Sequence, residues 1–171
     1  ISKGMGLDKR IGNKFLHAGP GYGGSCFPKD TVALVKTANA NNLDLSIVNE
    51  TVKYNYNRKK TMVEKIQSSV KNIKNKNIGI LGLSFKPETD DMRESPSIDI
   101  INGLLDLGAK VCAYDPAALE EAKKILPKKT LFVSNAKHCI KDKDILVILT
   151  EWNEFRALEP ENISRLMKGN I

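Results

Sequence analysis

Cysteine is scarce in this chain, and its three copies are widely separated. Cys26, Cys112 and Cys139 show none of the short paired spacings of a disulfide framework or a zinc site. We therefore expect thiols in a reducing compartment such as the cytoplasm, with one of them open to a reactive role. The two histidines, His17 and His138, have no partner at metal-site or triad spacing, so the sequence predicts no metal.

Long hydrophobic runs are also missing. No apolar stretch approaches the roughly 20 residues of a membrane span, so we expect no membrane partner. The opening residues, 1–6, lack the apolar core and cleavage site of a signal peptide. They also lack an initial Met, which leads us to expect that Ile1 lies inside a longer chain.

No nucleic-acid motif accompanies the positive charge of the chain. The 27 Lys and Arg residues outnumber the 20 Asp and Glu residues, and the formal net charge is +7. The lysines are scattered, and their clusters at 58–60 and 71–76 carry no aromatic–basic pattern. Such a charge also suits an enzyme that binds phosphorylated substrates, so we expect solvated lysine clusters and no nucleic acid.

The first of two halves, residues 1–76, has the periodicity of helices rather than strands. A helix is predicted from Asp30, a good N-cap, to a break at Asn41-Asn42. A longer helix is predicted from near Ser46 to near Val70. Its apolar stripe, interrupted by Asn55 and Lys59, consists of Val48, Val52, Met62, Ile66 and Val70. We expect this stripe to pack, and we interpret the half as a helical central and dimerisation segment.

The second half, residues 77–171, alternates short apolar strands with helices. Ser95-Pro96 are favoured N-cap and N1 residues, and Gly108 is a favoured helix stop. This alternation predicts an α/β fold with a parallel, Rossmann-like sheet, which we expect to continue beyond Ile171. The predicted strands are Asn77 to Leu83, Lys110 to Tyr114, Thr130 to Val133 and Ile145 to Leu149. The predicted helices start near Ser95, Ala117, Ala136 and Pro160.

A glycine-rich turn precedes the first cysteine. The string GPGYGGSCFPKD at 19–30 places four glycines in six residues, which lets the backbone approach a ligand closely. Cys26 then comes just before the predicted helix, where the helix dipole and Lys29 would both favour a thiolate. Asp30 could cap that helix or orient a water beside the sulfur. The pattern favours a nucleophilic cysteine over a buried one.

This string resembles the catalytic-cysteine motif of the UDP-glucose/GDP-mannose dehydrogenase family. Three further matches follow the family order: DKRIG at 8–12, GLSFKPETDDMRES at 82–95, and TEW at 150–152. The resemblance implies an enzyme that oxidises a sugar C6 hydroxyl twice with NAD as the hydride acceptor. Cys26 would capture the aldehyde as a thiohemiacetal and hold a thioester, and Asp30 would position the water that releases the acid.

The resemblance also implies roles for further side chains. Contacts to the sugar nucleotide are implied for Phe15, Tyr22, Gly23, Phe85 and Lys86, with Arg10 reaching the site of a neighbouring subunit in a homodimer. Lys29 and Arg93 resemble positions near the NAD phosphates. The first strand ends in GILGLS rather than G-x-G-x-x-G, so we expect NAD to bind mainly an upstream domain and the isolated chain to be inactive.

Besides a UDP-glucose dehydrogenase, two other readings of the function stay open. Another dehydrogenase of the family could act on GDP-mannose or UDP-N-acetylmannosamine, although FPKD after Ser25-Cys26 looks most like the UDP-glucose branch. A non-catalytic module for nucleotide-sugar binding or dimerisation is the third reading. It predicts a gene that begins near Ile1, which the missing Met argues against.

Overall fold

The computed structural model describes residues 1–12 and 18–169, and its first half is helical as predicted. A short helix, α1 (Ser2–Met5), precedes two longer helices, α2 (Cys26–Ala40) and α3 (Ser46–Ser68). The predicted start of α2 at Asp30 is wrong, because the helix begins four residues earlier. Pro28 is compatible with this start, since proline is tolerated in the first turn, where backbone N–H groups have no partner within the helix.

The break between α2 and α3 lies where the sequence predicted it. Asn41 follows the last residue of α2, and Asn42 has a φ of 55°, a left-handed conformation that Asn tolerates. α3 ends two residues before Val70. Helix α2 packs on α3, and α3 packs on the first helix of the second half.

The second half is a parallel sheet with helices, which confirms the predicted α/β class. Its strands lie in the order β3-β2-β1-β4, and every pairing is parallel. The strands are β1 (Asn77–Leu81), β2 (Lys110–Tyr114), β3 (Leu131–Phe132) and β4 (Ile145–Ile148). The helices are α4 (Pro96–Asp106), α5 (Leu119–Ile125), α6 (Ala136–Ile140), α7 (Asn153–Arg156) and α8 (Pro160–Leu166). The sequence did not predict α7.

Helix α4 follows the signals in its sequence closely. Ser95 is the N-cap, and its hydroxyl accepts a hydrogen bond from the Ser97 N–H. Pro96 is the first helical residue, and Gly108 has a φ of +81° just beyond the end. The buried face includes Ile101 and Leu104, both with no exposed surface, and it joins α4 to the sheet.

The apolar stripe of α3 extends the core of the second half. Ile66 is buried, and Met62 and Val70 pack against the cluster that contains α4 and the sheet. The expectation that this stripe packs is therefore met at its C-terminal end. The two halves share one continuous apolar core.

Two cysteines that are distant in sequence meet under the sheet. Cys112 and Cys139 are buried, and the Cys139 thiol lies 3.3 Å from the Ile80 carbonyl and 3.4 Å from the Cys112 carbonyl. A separate interaction between the two thiol side chains lowers the pKa of Cys112 to about 7, whereas the same interaction and burial raise the pKa of Cys139. Among the described residues, none of the helices is both long enough and apolar enough to cross a bilayer.

Candidate functional site

A cavity of about 530 Å³ opens at the carboxyl edge of the sheet, between the ends of β1 and β4. The strand order reverses at this point, and such switch points are where open α/β sheets bind ligands. Three walls come from the α/β half: residues 84–86 after β1, 149–151 after β4, and 95–97 at the start of α4. The fourth wall is the glycine-rich loop 18–23 together with Phe27.

The glycine-rich loop lies directly on the loop that follows β1. The Gly24 N–H donates to the Arg93 carbonyl at 2.8 Å. A Cβ at Gly23 would lie 2.5 Å from the Glu94 carbonyl oxygen, and one at Gly24 would lie 2.9 Å from the Phe85 ring. Larger residues would therefore push the two loops apart, which explains the glycines in the motif.

Cys26 is the first residue of α2, at the point where the glycine-rich loop becomes a helix. Its side chain is exposed, and its sulfur lies 3.6 Å from the Ser25 hydroxyl. Phe27 packs edge-to-face on Tyr22, with ring centroids 4.6 Å apart, and both rings line the cavity. Asp30 lies one turn after Cys26 inside the helix, so it does not cap α2. The i,i+4 spacing places its side chain beside that of Cys26.

A second cavity, of about 780 Å³, lies on the other side of the same loop. Its wall includes Gly24, Ser25, Lys29 and Arg93. The Arg93 guanidinium forms a two-pronged ion pair with Asp91, at 2.9 and 2.7 Å. This pairing holds the pKa of the Asp91 carboxyl below its ordinary value and raises that of Arg93.

Lys86 supplies a cation at the rim of the first cavity. Its ammonium lies 5.4 Å from the centroid of the Phe85 ring, and its side chain is exposed. The start of α4 offers the cavity few unpaired N–H groups. The Ser97 N–H is bonded to the Ser95 hydroxyl and the Ile98 N–H to the Ser95 carbonyl, so α4 offers the cavity its dipole more than unpaired N–H groups.

The carboxylate after β2 has a structural role. Asp115 is fully buried and accepts hydrogen bonds from the backbone of the β1 loop and of its own turn, and from Trp152. In dinucleotide folds the acidic residue at this strand end binds the ribose. Here its oxygens tie together the ends of β1, β2 and β4. The sheet therefore lacks both the glycine fingerprint and the available carboxylate of a dinucleotide site.

One predicted site residue, Arg10, is not brought to either cavity. Arg10 is exposed and pairs with Asp8 at 2.6 Å, a pairing that lowers the pKa of the Asp8 carboxyl. Phe15 lies outside the described residues. The remaining eight predicted positions line one of the two cavities or, like Cys26 and Asp30, lie on the helix between them. Those that line a cavity are Tyr22, Gly23, Phe85, Lys86, Lys29 and Arg93.

The sequence prediction missed the role of two polar residues of α3. Asn55 is hydrogen-bonded to the backbone of Tyr22, and Lys59 is buried against Asp99. Both had been noted as interruptions of an apolar stripe. A polar residue at a stripe position is the signal that could have identified them, because it must find a partner when the helix packs.

Comparison with protein families matches both halves of the chain. Residues 1–57 match the central domain of the UDP-glucose/GDP-mannose dehydrogenase family, and residues 79–171 match its UDP binding domain. Both matched domains belong to a dehydrogenase family, and the sheet of this chain does not have a dinucleotide fingerprint. The chain belongs to the UDP-glucose/GDP-mannose dehydrogenase family, as its motifs predicted.

Individual relatives agree with this assignment. A UDP-glucose 6-dehydrogenase of Rhizobium meliloti is 48% identical over 98% of this chain, which spans 38% of the relative. A UDP-glucose dehydrogenase structure from Pyrobaculum islandicum matches 98% of this chain and 41% of its own, with a TM-score of 0.86 and 31% identity. A GDP-mannose dehydrogenase structure from Pseudomonas aeruginosa matches 85% of this chain and 35% of its own, with a TM-score of 0.73 and 25% identity. The chain therefore spans about two fifths of the length of such relatives.

Proposed function

We propose that this chain is the central and UDP-binding part of a UDP-glucose 6-dehydrogenase, which oxidises UDP-glucose to UDP-glucuronate with NAD. The observation that carries the proposal is the placement of Cys26. It lies at the start of a helix beside a cavity at the switch point of the sheet, in a protein whose family oxidises nucleotide sugars. Residues 1–76 form the helical central segment in this proposal, and residues 77–171 form the UDP-binding domain.

The sugar nucleotide occupies the cavity of 530 Å³. Phe85 and Lys86 hold the nucleotide side, with Lys86 as the cation nearest to the diphosphate. Tyr22 and Gly23 form the opposite wall and direct the sugar toward Cys26. A cavity of this volume lies in the range of small-molecule and cofactor sites.

Cys26 is the nucleophile of the second oxidation. Its sulfur adds to the C6 aldehyde, forming a C–S bond, and the resulting alkoxide takes a proton to give a thiohemiacetal. After that centre is oxidised, the acyl group remains on the sulfur as a thioester. Water attacks the thioester, and the thiolate leaves as the acid forms. Asp30, one helical turn from Cys26, orients this water.

NAD, when bound, supplies the hydride acceptor for both oxidations. The sheet of this chain does not fit the dinucleotide. Asp115 already accepts internal hydrogen bonds, and the turn after β1 is not G-x-G-x-x-G. The residues around the second cavity do fit an anionic group. Lys29 and Arg93 would hold the NAD phosphates there, while an upstream domain supplies the main cofactor site.

The substrate is assigned to the UDP-glucose branch because of sequence similarity. The R. meliloti relative is 48% identical, whereas the GDP-mannose dehydrogenase structure is 25% identical. GDP-mannose and UDP-N-acetylmannosamine are the alternative substrates, because all three nucleotide sugars carry the diphosphate that the cavity wall would bind. A competition assay with the three nucleotide sugars separates them.

The decisive experiment measures NADH production by the whole protein with each nucleotide sugar. UDP-glucose should give two NADH per acid formed, at a kcat/KM well above that for the other two. The isolated chain of 171 residues should give none, because the main hydride-acceptor site lies upstream. NADH formation by the isolated chain would contradict the proposal that the main NAD site lies upstream. A preference for GDP-mannose would reassign the substrate.

A further inference from the structure

Helix α3 presents an amide to the loop that forms one wall of the candidate site. The Tyr22 N–H donates to Asn55 Oδ1 at 2.8 Å, and Asn55 Nδ2 donates to the Tyr22 carbonyl at 3.1 Å. One side chain therefore satisfies both backbone groups of a residue 33 positions away. This reciprocal pair fixes the plane of the glycine-rich loop relative to α3.

Gly21 is matched to this amide. Its φ is +141°, and a Cβ built on it would lie 2.8 Å from Asn55 Oδ1. A side chain at that position would have to displace the amide. The close approach of Asn55 therefore explains why the residue before Tyr22 is a glycine.

Lys59, one helical turn further along α3, supports the same region. It is 7% exposed, with its ammonium 2.6 Å from Asp99 and 3.9 Å from Glu94. Asp99 belongs to α4, and the Glu94 carbonyl lies against Gly23. Asn55 and Lys59 therefore share one face of α3 and tie both loops of the site to it.

We propose that Asn55 is a positioning residue for sugar-nucleotide binding. It does not line the cavity itself and acts through Tyr22, which does. Holding Tyr22 sets the distance across the cavity to Phe85 and Lys86, and it sets the direction in which the loop enters α2 at Cys26. This inference rests on the proposed function for its substrate, but not for its geometry.

The first test compares Asn55→Ala with Asn57→Ala in the whole protein. Asn57 is an exposed residue two positions along the same helix, so its variant controls for a lost amide on α3. Loss of two hydrogen bonds should raise the KM for UDP-glucose roughly ten- to thirtyfold in Asn55→Ala. The KM for NAD should change less than about twofold in either variant. A merely structural role would lower the melting temperature and leave the KM of the folded enzyme unchanged, which would overturn the proposal.

Asn55→Asp provides a second variant of nearly the same size. It keeps an acceptor for the Tyr22 N–H but turns a carboxylate oxygen toward the Tyr22 carbonyl, where the amide had donated. We expect an impairment at least as large as that of Asn55→Ala, since a repulsive contact replaces a bond. Wild-type kinetics in Asn55→Asp would show that the donor half of the pair has no role.

A measurement without ligand separates this inference from the proposed function. Hydrogen exchange of the segment 19–27, followed by mass spectrometry, should be roughly tenfold faster in Asn55→Ala and unchanged in Asn57→Ala. If the wild type does not oxidise UDP-glucose, the proposed function fails, and faster exchange still supports the positioning role. Unchanged exchange in Asn55→Ala overturns it in either case.

Discussion

At the level of single residues, the proposed chemistry depends on Cys26, an exposed thiol at the start of α2. Cys112 and Cys139 are buried under the sheet, and Cys26 alone of the three cysteines is exposed. A nucleophile must reach its substrate, so accessibility separates Cys26 from the other two more clearly than sequence spacing does. Residues of the motifs form much of the cavity walls on either side of it.

Replacing Cys26 should separate the two oxidation steps. In the whole protein, Cys26→Ala should abolish net formation of the acid, because no thioester can form. Cys26→Ser should instead trap an acyl ester, since an alkoxide leaves less readily than a thiolate. Product analysis and intact mass spectrometry measure the two outcomes, with Cys112→Ala as the control that keeps Cys26. Normal output of UDP-glucuronate from Cys26→Ala would disprove the nucleophile assignment.

Lys86 should dominate the charge contribution to nucleotide binding. Lys86→Ala should weaken UDP binding roughly ten- to a hundredfold, because a partly desolvated lysine–phosphate contact contributes about 1–3 kcal/mol. Lys128→Ala removes an exposed lysine from the turn before β3 and should have no effect. Chemical-shift titration with UDP measures both and maps the site. Shifts confined to residues outside 82–95 would place the nucleotide elsewhere.

At the scale of elements, the amino ends of β1 and β4 are joined by a carboxylate. Asp144, just before β4, accepts from the Asn77 N–H at 2.8 Å and pairs with Lys76 at 3.4 Å. The Asn77 hydrogen bond is the main reason that the pKa of Asp144 lies below its ordinary 3.8. Its contribution to stability is therefore fully present above 3.8 and is lost as the pH falls through the lowered pKa.

The lowered pKa of Asp144 leads to a prediction about stability at different pH values. Asp144→Asn should lower the free energy of unfolding by about 1 kcal/mol at pH 7, because a charged acceptor becomes a neutral one. The difference from the wild type should shrink as the pH falls below the ordinary Asp range. Urea unfolding at several pH values measures it, with the exposed Asp142→Asn as the control. A difference that persists unchanged at low pH would show that the cost comes from packing rather than charge.

At the scale of the whole molecule, apolar residues remain uncovered on the helical half. Ile47 is 83% exposed and Tyr54, seven residues later on α3, is 66% exposed, while Leu34 on α2 is 51% exposed. Residues seven apart share a helix face, so α3 presents an apolar strip to its surroundings. We propose that this strip forms part of a homodimer interface, beyond which Arg10 would reach the site of the neighbouring subunit.

The dimer proposal predicts a specific response to charge. Ile47→Lys should shift the whole protein toward the monomer at micromolar concentration, because a lysine cannot be buried without a partner in an apolar contact. Leu131→Lys alters another exposed apolar residue, on the edge strand β3, and should leave the assembly unchanged. Sedimentation velocity measures both. An unchanged dimer in Ile47→Lys would place the interface on another surface.

Sequence patterns alone predict the class of the fold and most of its elements, and the motifs predict the chemistry proposed for the site. Local rules suffice for these, as Ser95-Pro96 and Gly108 illustrate for α4, and as the change of period from helices to strands illustrates for the sheet. The start of α2 and the short helix α7 were exceptions. Asp30 is a good N-cap by composition, but the chain turns helical at Cys26, where the glycine-rich loop is held against the β1 loop.

Which polar groups become partners depends on how the elements pack. Asn55 and Tyr22 are 33 positions apart, Leu83 and Asp115 are 32 apart, and Cys112 and Cys139 are 27 apart. Periodicity tells which face of an element is buried, but the residue that a buried polar group meets depends on how two elements cross. Such pairs form once α3 lies on α4 and the strand ends converge, and for that reason no local pattern contains them.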